Sequence, residues 1–210
     1  MPPVRIARDD PRAIHSRGIV ILKPAHPLIR KLKRDLPTPC IHGDKVWDSS
    51  WLLMDELRRN PPPAGATLMD LGCGWGPLSV FAAKRLKQQV IGIDADDGVF
   101  PYLHLHAELN GVSIETRQRR FEKLSARELG AVTTLAGADI CFWEELTPVL
   151  FNLIRRAIKS GAQRVLIADP GRDPFYQLAE RCEKVFASRI VERSTSTPKA
   201  ALADLLIIEP

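Results

Sequence analysis

Long apolar runs are missing from this chain. No stretch approaches the roughly 18 residues of a membrane-spanning helix, so no span is expected. A secretory leader is not expected either, because Met1–Arg12 carries Pro2, Pro3, Arg5, Arg8, Asp9 and Asp10 where an apolar core would stand. Cysteine is scarce: Cys40, Cys73, Cys141 and Cys182 are scattered and form no Cys-x-x-Cys pair. Free thiols in a reducing, cytoplasmic compartment are the simplest reading. No Cys/His cluster has ligand spacing, so no metal site is expected. Internal repeats and low-complexity tracts, prolines aside, are absent too. What remains is an ordinary globular composition, 45% hydrophobic and 26% charged. Its 210 residues suit one domain with a sizeable core.

The charge is uneven. Residues 1–45 hold ten Lys and Arg against four Asp and Glu, a net +6, so the rest of this +5 chain is near neutral. The chain therefore divides into a basic, Pro-rich N-terminal extension (1–45) and a domain (46–210). The extension reads as a solvated, partly ordered arm with one strand at Ile19–Leu22. A basic arm also suits an acidic protein or a nucleic acid.

From residue 47 the pattern becomes regular. Trp47–Leu57 reads as a helix, capped by Asp48 or Ser49 and ended by Asn60 and Pro61–Pro63. Strands are expected at Thr67–Leu71, Gln89–Ile93, Ser113–Arg117, Ala138–Phe142 and Arg164–Ala168. Helices at Pro77–Leu86, Pro101–Asn110, Leu146–Lys159 and Phe175–Phe186 separate most of them. Arg189–Ser194 and Ala203–Ile208 have no crossover helix between them and read as an antiparallel pair. Alternating strands and helices give a doubly wound α/β fold with a mostly parallel sheet. Ligands in such sheets bind beyond the carboxyl ends of the strands.

Asp70-Leu71-Gly72-Cys73-Gly74-Trp75-Gly76 stands at such an end. Glycines there permit a tight turn and close approach to a ligand. The spacing is G-x-G-x-G without a following lysine, which argues against a phosphate-binding loop. Asp94 ends the next strand, 22 residues after Gly72. That is the spacing at which a carboxylate accepts both hydroxyls of a ribose. Asp96 competes for the role but lies past the strand end.

These residues resemble motif I and the acidic strand end of class I S-adenosylmethionine-dependent methyltransferases, whose sheet has seven strands with a C-terminal antiparallel pair. The resemblance implies S-adenosyl-L-methionine as cofactor. It places Gly72, Gly74 and Gly76 beside the methionine moiety, Asp70 at its amino group, Asp94 on the ribose, and Glu122 or Phe121 near the adenine.

A second segment, Asp139-Ile140-Cys141-Phe142-Trp143-Glu144-Glu145, bears on the acceptor. Glu144 and Glu145 suit a helix N-terminus, but Asp139 is hard to explain as a cap. A carboxylate and aromatic faces suit an acceptor nitrogen. Asp139–Phe142 resembles the D-x-x-[FY] motif of the seven-β-strand protein lysine methyltransferases (methyltransferase family 16). Val46–Ser50 is similar to that family's tryptophan-containing helix start. Val165–Arg172 is similar to a strand end of the electron-transfer-flavoprotein β-subunit lysine methyltransferase group. The resemblance implies a protein lysine as acceptor, with Asp139 and Phe142 as catalytic residues. It also puts Trp47 and Asp139 near the cofactor. A small-molecule N-methyltransferase with a nicotinamide-like acceptor is the alternative. An RNA methyltransferase and a cofactor-binding pseudoenzyme rank below it. No [DNS]-P-P-[FYW] motif of base methylators follows the fourth strand, so nucleic acid is not the expected partner.

Overall fold

The computed structural model describes residues 6–37, 39, 41 and 45–209. In chain order the elements are β1 (Ala13–Ser16), β2 (Ile19–Leu22), α1 (Pro27–Asp35), α2 (Ser49–Arg59), β3 (Thr67–Leu71), α3 (Pro77–Arg85), β4 (Gln89–Asp94), α4 (Phe100–Asn110), β5 (Glu115–Gln118), α5 (Ala126–Leu129), β6 (Thr134–Ala138), α6 (Leu146–Lys159), β7 (Arg164–Asp169), α7 (Asp173–Glu183), β8 (Ser188–Thr195) and β9 (Ala201–Ile208). Short 3-10 turns cover Asp97–Val99 and Phe121–Lys123.

Seven strands form one sheet in the order β5-β4-β3-β6-β7-β9-β8. The first five are parallel, and β9 runs antiparallel to both β7 and β8. This is the doubly wound architecture expected from the alternation. Side chains alternate between faces, as the two-residue strand period demands. Leu68, Val90, Leu166 and Ile207 pack with Trp51, Leu53 and Phe81 of α2 and α3. Met69, Ile91, Val165 and Ile208 pack with Leu150, Leu153 and Phe175 of α6 and α7. Strand order reverses between β3 and β6, so their carboxyl ends flank the crevice where a ligand belongs.

The fourth strand of the domain lies four residues earlier than expected, at Thr134–Ala138, and Asp139–Phe142 forms the loop beyond it. Ile140 and Phe142 have the stronger β propensity, yet the slot between β3 and β7 accepts the small Ala136 and Gly137 instead. Close approach of neighbouring elements outweighs propensity here. A Cβ on Gly137 would meet Ile140 Cδ1 at 2.6 Å. Helix α2 begins at Ser49, so Trp47 precedes it, and Asp48 makes no side-chain cap bond.

The described part of the N-terminal extension is folded against the domain rather than solvated. Strands β1 and β2 form a hairpin around Arg17 and Gly18, both at positive φ, the turn type that matches strand twist. Leu22, Ile29, Trp75 and Tyr102 share a buried cluster. Asn110 exchanges two hydrogen bonds with the Val20 backbone, at 2.9 and 2.7 Å. The Leu22 amide donates to His106 Nε2 at 3.0 Å, so His106 Nδ1 is the donor to the Trp75 carbonyl, at 2.9 Å. Arg17 closes a bidentate pair with Asp55 of α2 at 2.6 and 3.0 Å. The basic count misled because the cations decorate elements whose apolar sides are buried. Among the described residues no helix is long and apolar enough to cross a membrane.

Candidate active site

The glycine loop leaves β3 in a tight turn. Gly72 has φ +62°, and a Cβ there would lie 2.7 Å from Ile140 Cγ2. Gly76 has φ +76° and precedes α3, where a Cβ would lie 2.5 Å from Leu103 Cγ. Both positions require glycine, by backbone conformation and by space. Their consequences differ, because Gly72 and Gly74 line a cavity of about 200 Å³ at the sheet's carboxyl edge whereas Gly76 is turned toward α4.

The cavity gathers residues from six separate chain segments. Trp47, Gly72, Gly74, Asp94, Phe121, Glu122, Asp139 and Phe142 all line it. Asp70 is not among them. It lines a smaller adjoining recess with Trp47, Gly72 and Gly74. Ala138, Ile140, Trp143 and Leu146, from the acceptor segment and the helix start after it, line it as well, with Ile41, Ala95 and Arg120, for which no role was expected. Backbone fold-back alone brings those last three there, so their residue types carried no signal.

Asp94 ends β4 with its carboxylate at the cavity. One oxygen accepts the Gly74 amide at 3.1 Å, the other the Asp96 amide at 3.1 Å. Burial pushes its carboxyl up, while those amides oppose the push. Asp96 instead caps the next turn by accepting the Gly98 amide at 2.9 Å. Asp70 is 3% exposed and accepts the Ser79 hydroxyl at 2.6 Å. Burial raises its carboxyl to about 7. No cation pairs with Asp70 among the described residues, so the recess presents a buried carboxylate to whatever enters it. Burial also pushes the Cys73, Cys141 and Cys182 thiols up, so none is a ready nucleophile. All three are free, and Cys40 lies outside the described residues.

On the same cavity wall Asp139 sits in left-handed backbone conformation, φ +56°, which Asp tolerates better than most residues. The turn carries Ile140 back onto Gly72 and presents Phe142 edge-on to Trp47, ring centroids 5.2 Å apart. The carboxylate is 5% exposed. It accepts the first backbone amide of α2, from Ser49, at 3.2 Å, and an Arg172 nitrogen at 3.3 Å. A helix N-terminus favours an anion at that place. Burial still pushes the Asp139 carboxyl up, against the bond from Ser49 and the charge of Arg172. The site is thus polar at Asp70, Asp94 and Asp139, and walled by rings and aliphatic groups between them.

Residues 68–161 match the methyltransferase domain family. Residues 68–161 thus carry a methyltransferase domain, and the sheet around it has the class I methyltransferase fold. It is 31% identical over 147 residues to the electron transfer flavoprotein β-subunit lysine methyltransferase of Xenopus laevis, an alignment covering 68% of this chain and 59% of that protein. It is 39% identical over 70 residues to a ubiquinone biosynthesis O-methyltransferase of Ruegeria, covering 33% of this chain and 28% of that protein. The chain therefore spans less than two thirds of the length of these relatives. In fold it is similar to TrmN from Thermus thermophilus, with a TM-score of 0.62 at 19% identity over 77% of this chain and 49% of that one.

Proposed function

We propose that the protein is an S-adenosylmethionine-dependent N-methyltransferase acting on a lysine side chain of a protein substrate. One observation carries this reading. Asp139, Phe142 and Trp47 converge on the cavity that Gly72 and Asp94 line. A relative with protein-lysine activity supports it over 147 residues.

The residues present fit the cofactor. Asp70 offers a buried carboxylate that makes no ion pair among the described residues and so suits an ammonium. Gly72 and Gly74 line the cavity with bare backbone. Asp94 stands at the strand end that suits a ribose, and Phe121 with Glu122 line the wall where an adenine belongs. When bound, the cofactor supplies an electrophilic methyl group on a sulfonium. The protein must then hold a neutral nitrogen in line with it and keep water out. Asp139 accepts a hydrogen bond from that nitrogen and stabilises the positive charge it gains. Phe142 and Trp47 wall the approach. A reducing, cytoplasmic location is part of the same proposal.

The test is incorporation of label from radiolabelled S-adenosylmethionine in a cell lysate. Label in protein, released as methyl-lysine after acid hydrolysis, supports the proposal. Label confined to nuclease-sensitive or acid-soluble material overturns the lysine acceptor. Asp139→Asn should lower turnover about 100-fold while leaving cofactor affinity nearly intact. Near-normal turnover in that variant removes Asp139 from the chemistry.

A further inference from the structure

Arg172 is an odd choice for its position in the chain. It is the residue before the first turn of α7, where Ser, Thr, Asp and Asn are preferred because their side chains accept the helix's free amides. Arginine has no acceptor to offer, and its charge faces the positive end of the helix dipole. The turn into the helix is held by Asp169, whose Oδ1 accepts the Gly171 and Arg172 amides at 3.1 and 2.8 Å. Helix formation therefore does not explain the residue.

Its side-chain contacts do. Arg172 Nη1 bridges two carboxylates, Asp169 Oδ2 at 2.7 Å and Asp139 Oδ1 at 3.3 Å. The guanidinium carbon lies 4.3 Å from the Phe142 ring centroid and 6.0 Å from that of Trp47. Both aromatic residues and Asp139 line the cavity. The tight bond to fully buried Asp169 is the anchor, and the contacts to Asp139 and Phe142 are what the anchor holds in place.

We propose that Arg172 is a positioning residue for methyl transfer: it keeps the Asp139 carboxylate ionised and fixed in direction, and its flat face braces Phe142 against Trp47. This role deepens the methyltransferase reading and rests on it for its catalytic consequence, but not for its effect on Asp139. The groups facing Asp139 are Asp169 from the end of β7, Arg172 from the start of α7, Ser49 from the start of α2, and Cys141 from its own loop. Arg172 is the cation among them. Without it Asp139 and Asp169 are left as two buried like charges, and one of them takes up a proton. A protonated Asp139 stabilises no positive charge on the acceptor.

Lysine at this position would restore the charge without the planar face, and glutamine would remove the charge and leave a shorter, neutral polar side chain. Two measurements separate the outcomes. The first is carboxyl-carbon NMR titration of Asp139 in 13C-aspartate-labelled protein, which needs no acceptor. The midpoint should move upward in Arg172→Gln and return toward wild type in Arg172→Lys. The second is methyl transfer with radiolabelled cofactor. Arg172→Gln should lower kcat about 10- to 100-fold, shift the acid limb of its pH profile upward and leave cofactor affinity unchanged. Arg172→Lys should recover the acid limb but only part of kcat, because Phe142 stays unbraced. An unmoved Asp139 midpoint in Arg172→Gln, with the fold intact by circular dichroism, overturns the proposal. A moved midpoint with no methyl transfer by wild type on any extract would leave the hold on Asp139 standing and sink the functional reading instead.

Discussion

Asp70→Asn should make the empty protein more stable at alkaline pH and a poorer binder of S-adenosylmethionine. The Asp70 carboxyl is 3% exposed and raised by burial from 3.8 to about 7. That rise corresponds to about 4 kcal/mol against the charged form. Because the folded value lies above the unfolded one, the neutral form's advantage is fully present below pH 3.8 and is lost as pH rises through about 7. The carboxamide of the variant cannot ionise, so it keeps that advantage at pH 8.5, and it still offers an oxygen to the Ser79 hydroxyl. Asp94, Asp139 and Asp169 are raised in the same direction by burial, so wild type alone would not isolate the group. The difference between wild type and variant does.

Urea unfolding at pH 5 and pH 8.5 measures it. The variant's gain on wild type should grow by about 2–3 kcal/mol between pH 5 and pH 8.5, from about 1.5 to about 4 kcal/mol. Calorimetric titration at pH 8.5 should show S-adenosylmethionine binding weakened about 10- to 100-fold, the worth of a lost charge-assisted hydrogen bond. Wild-type affinity should itself fall as pH drops below about 7, where Asp70 takes up its proton. Methylthioadenosine, which lacks the amino-acid moiety, should bind both proteins alike. A variant less stable than wild type at pH 8.5, or one that binds S-adenosylmethionine normally, would refute the assignment of Asp70 to the cofactor's ammonium.

Further perturbations separate scaffold from site. Gly76→Ala forces a side chain at φ +76° into Leu103 and should cost about 2–4 kcal/mol of stability. Gly72→Ala should lose less stability, because Ile140 lies in a loop, but should weaken cofactor binding more; thermal melts and titrations that rank the two alike would contradict the cavity wall. His106→Phe leaves the Leu22 amide and the Trp75 carbonyl without their partner, a loss of about 2–4 kcal/mol. Burial holds this imidazole down to about 4, so it is neutral at ordinary pH and the loss should not vary between pH 6 and 8. Hydrogen exchange should find the β2 amides deprotected in the variant, and unchanged protection would mean that the hairpin does not depend on this clamp.

The sheet was legible because burial on both faces leaves continuous apolar runs, and Thr67–Leu71 and Arg164–Ala168 read as strands from the sequence alone, the second one residue short of its observed end. The glycine loop was legible because its chemistry is local: Asp70, Gly72, Gly74 and Asp94 sit at two strand ends that adjoin in the sheet. What stayed hidden depends on contacts between distant segments. Strand β6 is made of small residues because Ile140 folds back onto Gly137 and Gly72, a constraint no single window contains. The hairpin's attachment depends on His106 and Asn110, some 84 and 90 residues away from the amides they receive. Arg172 was in view as part of a strand-end motif, but its meaning requires knowing that α7 starts there and that Asp139 faces it. A residue that violates the preference of its own helix end is a signal the sequence does contain. It can be read only after the helix boundary is fixed to within a residue, and that is the quantity local patterns determine least well. The same coupling has a mechanical consequence. Ile140 touches the cofactor loop while its neighbours Asp139 and Phe142 meet Arg172, so both contacts are set by one short turn. Substitution of Ile140 should disturb cofactor and acceptor together, whereas substitutions at Asp70 or Arg172 should separate them.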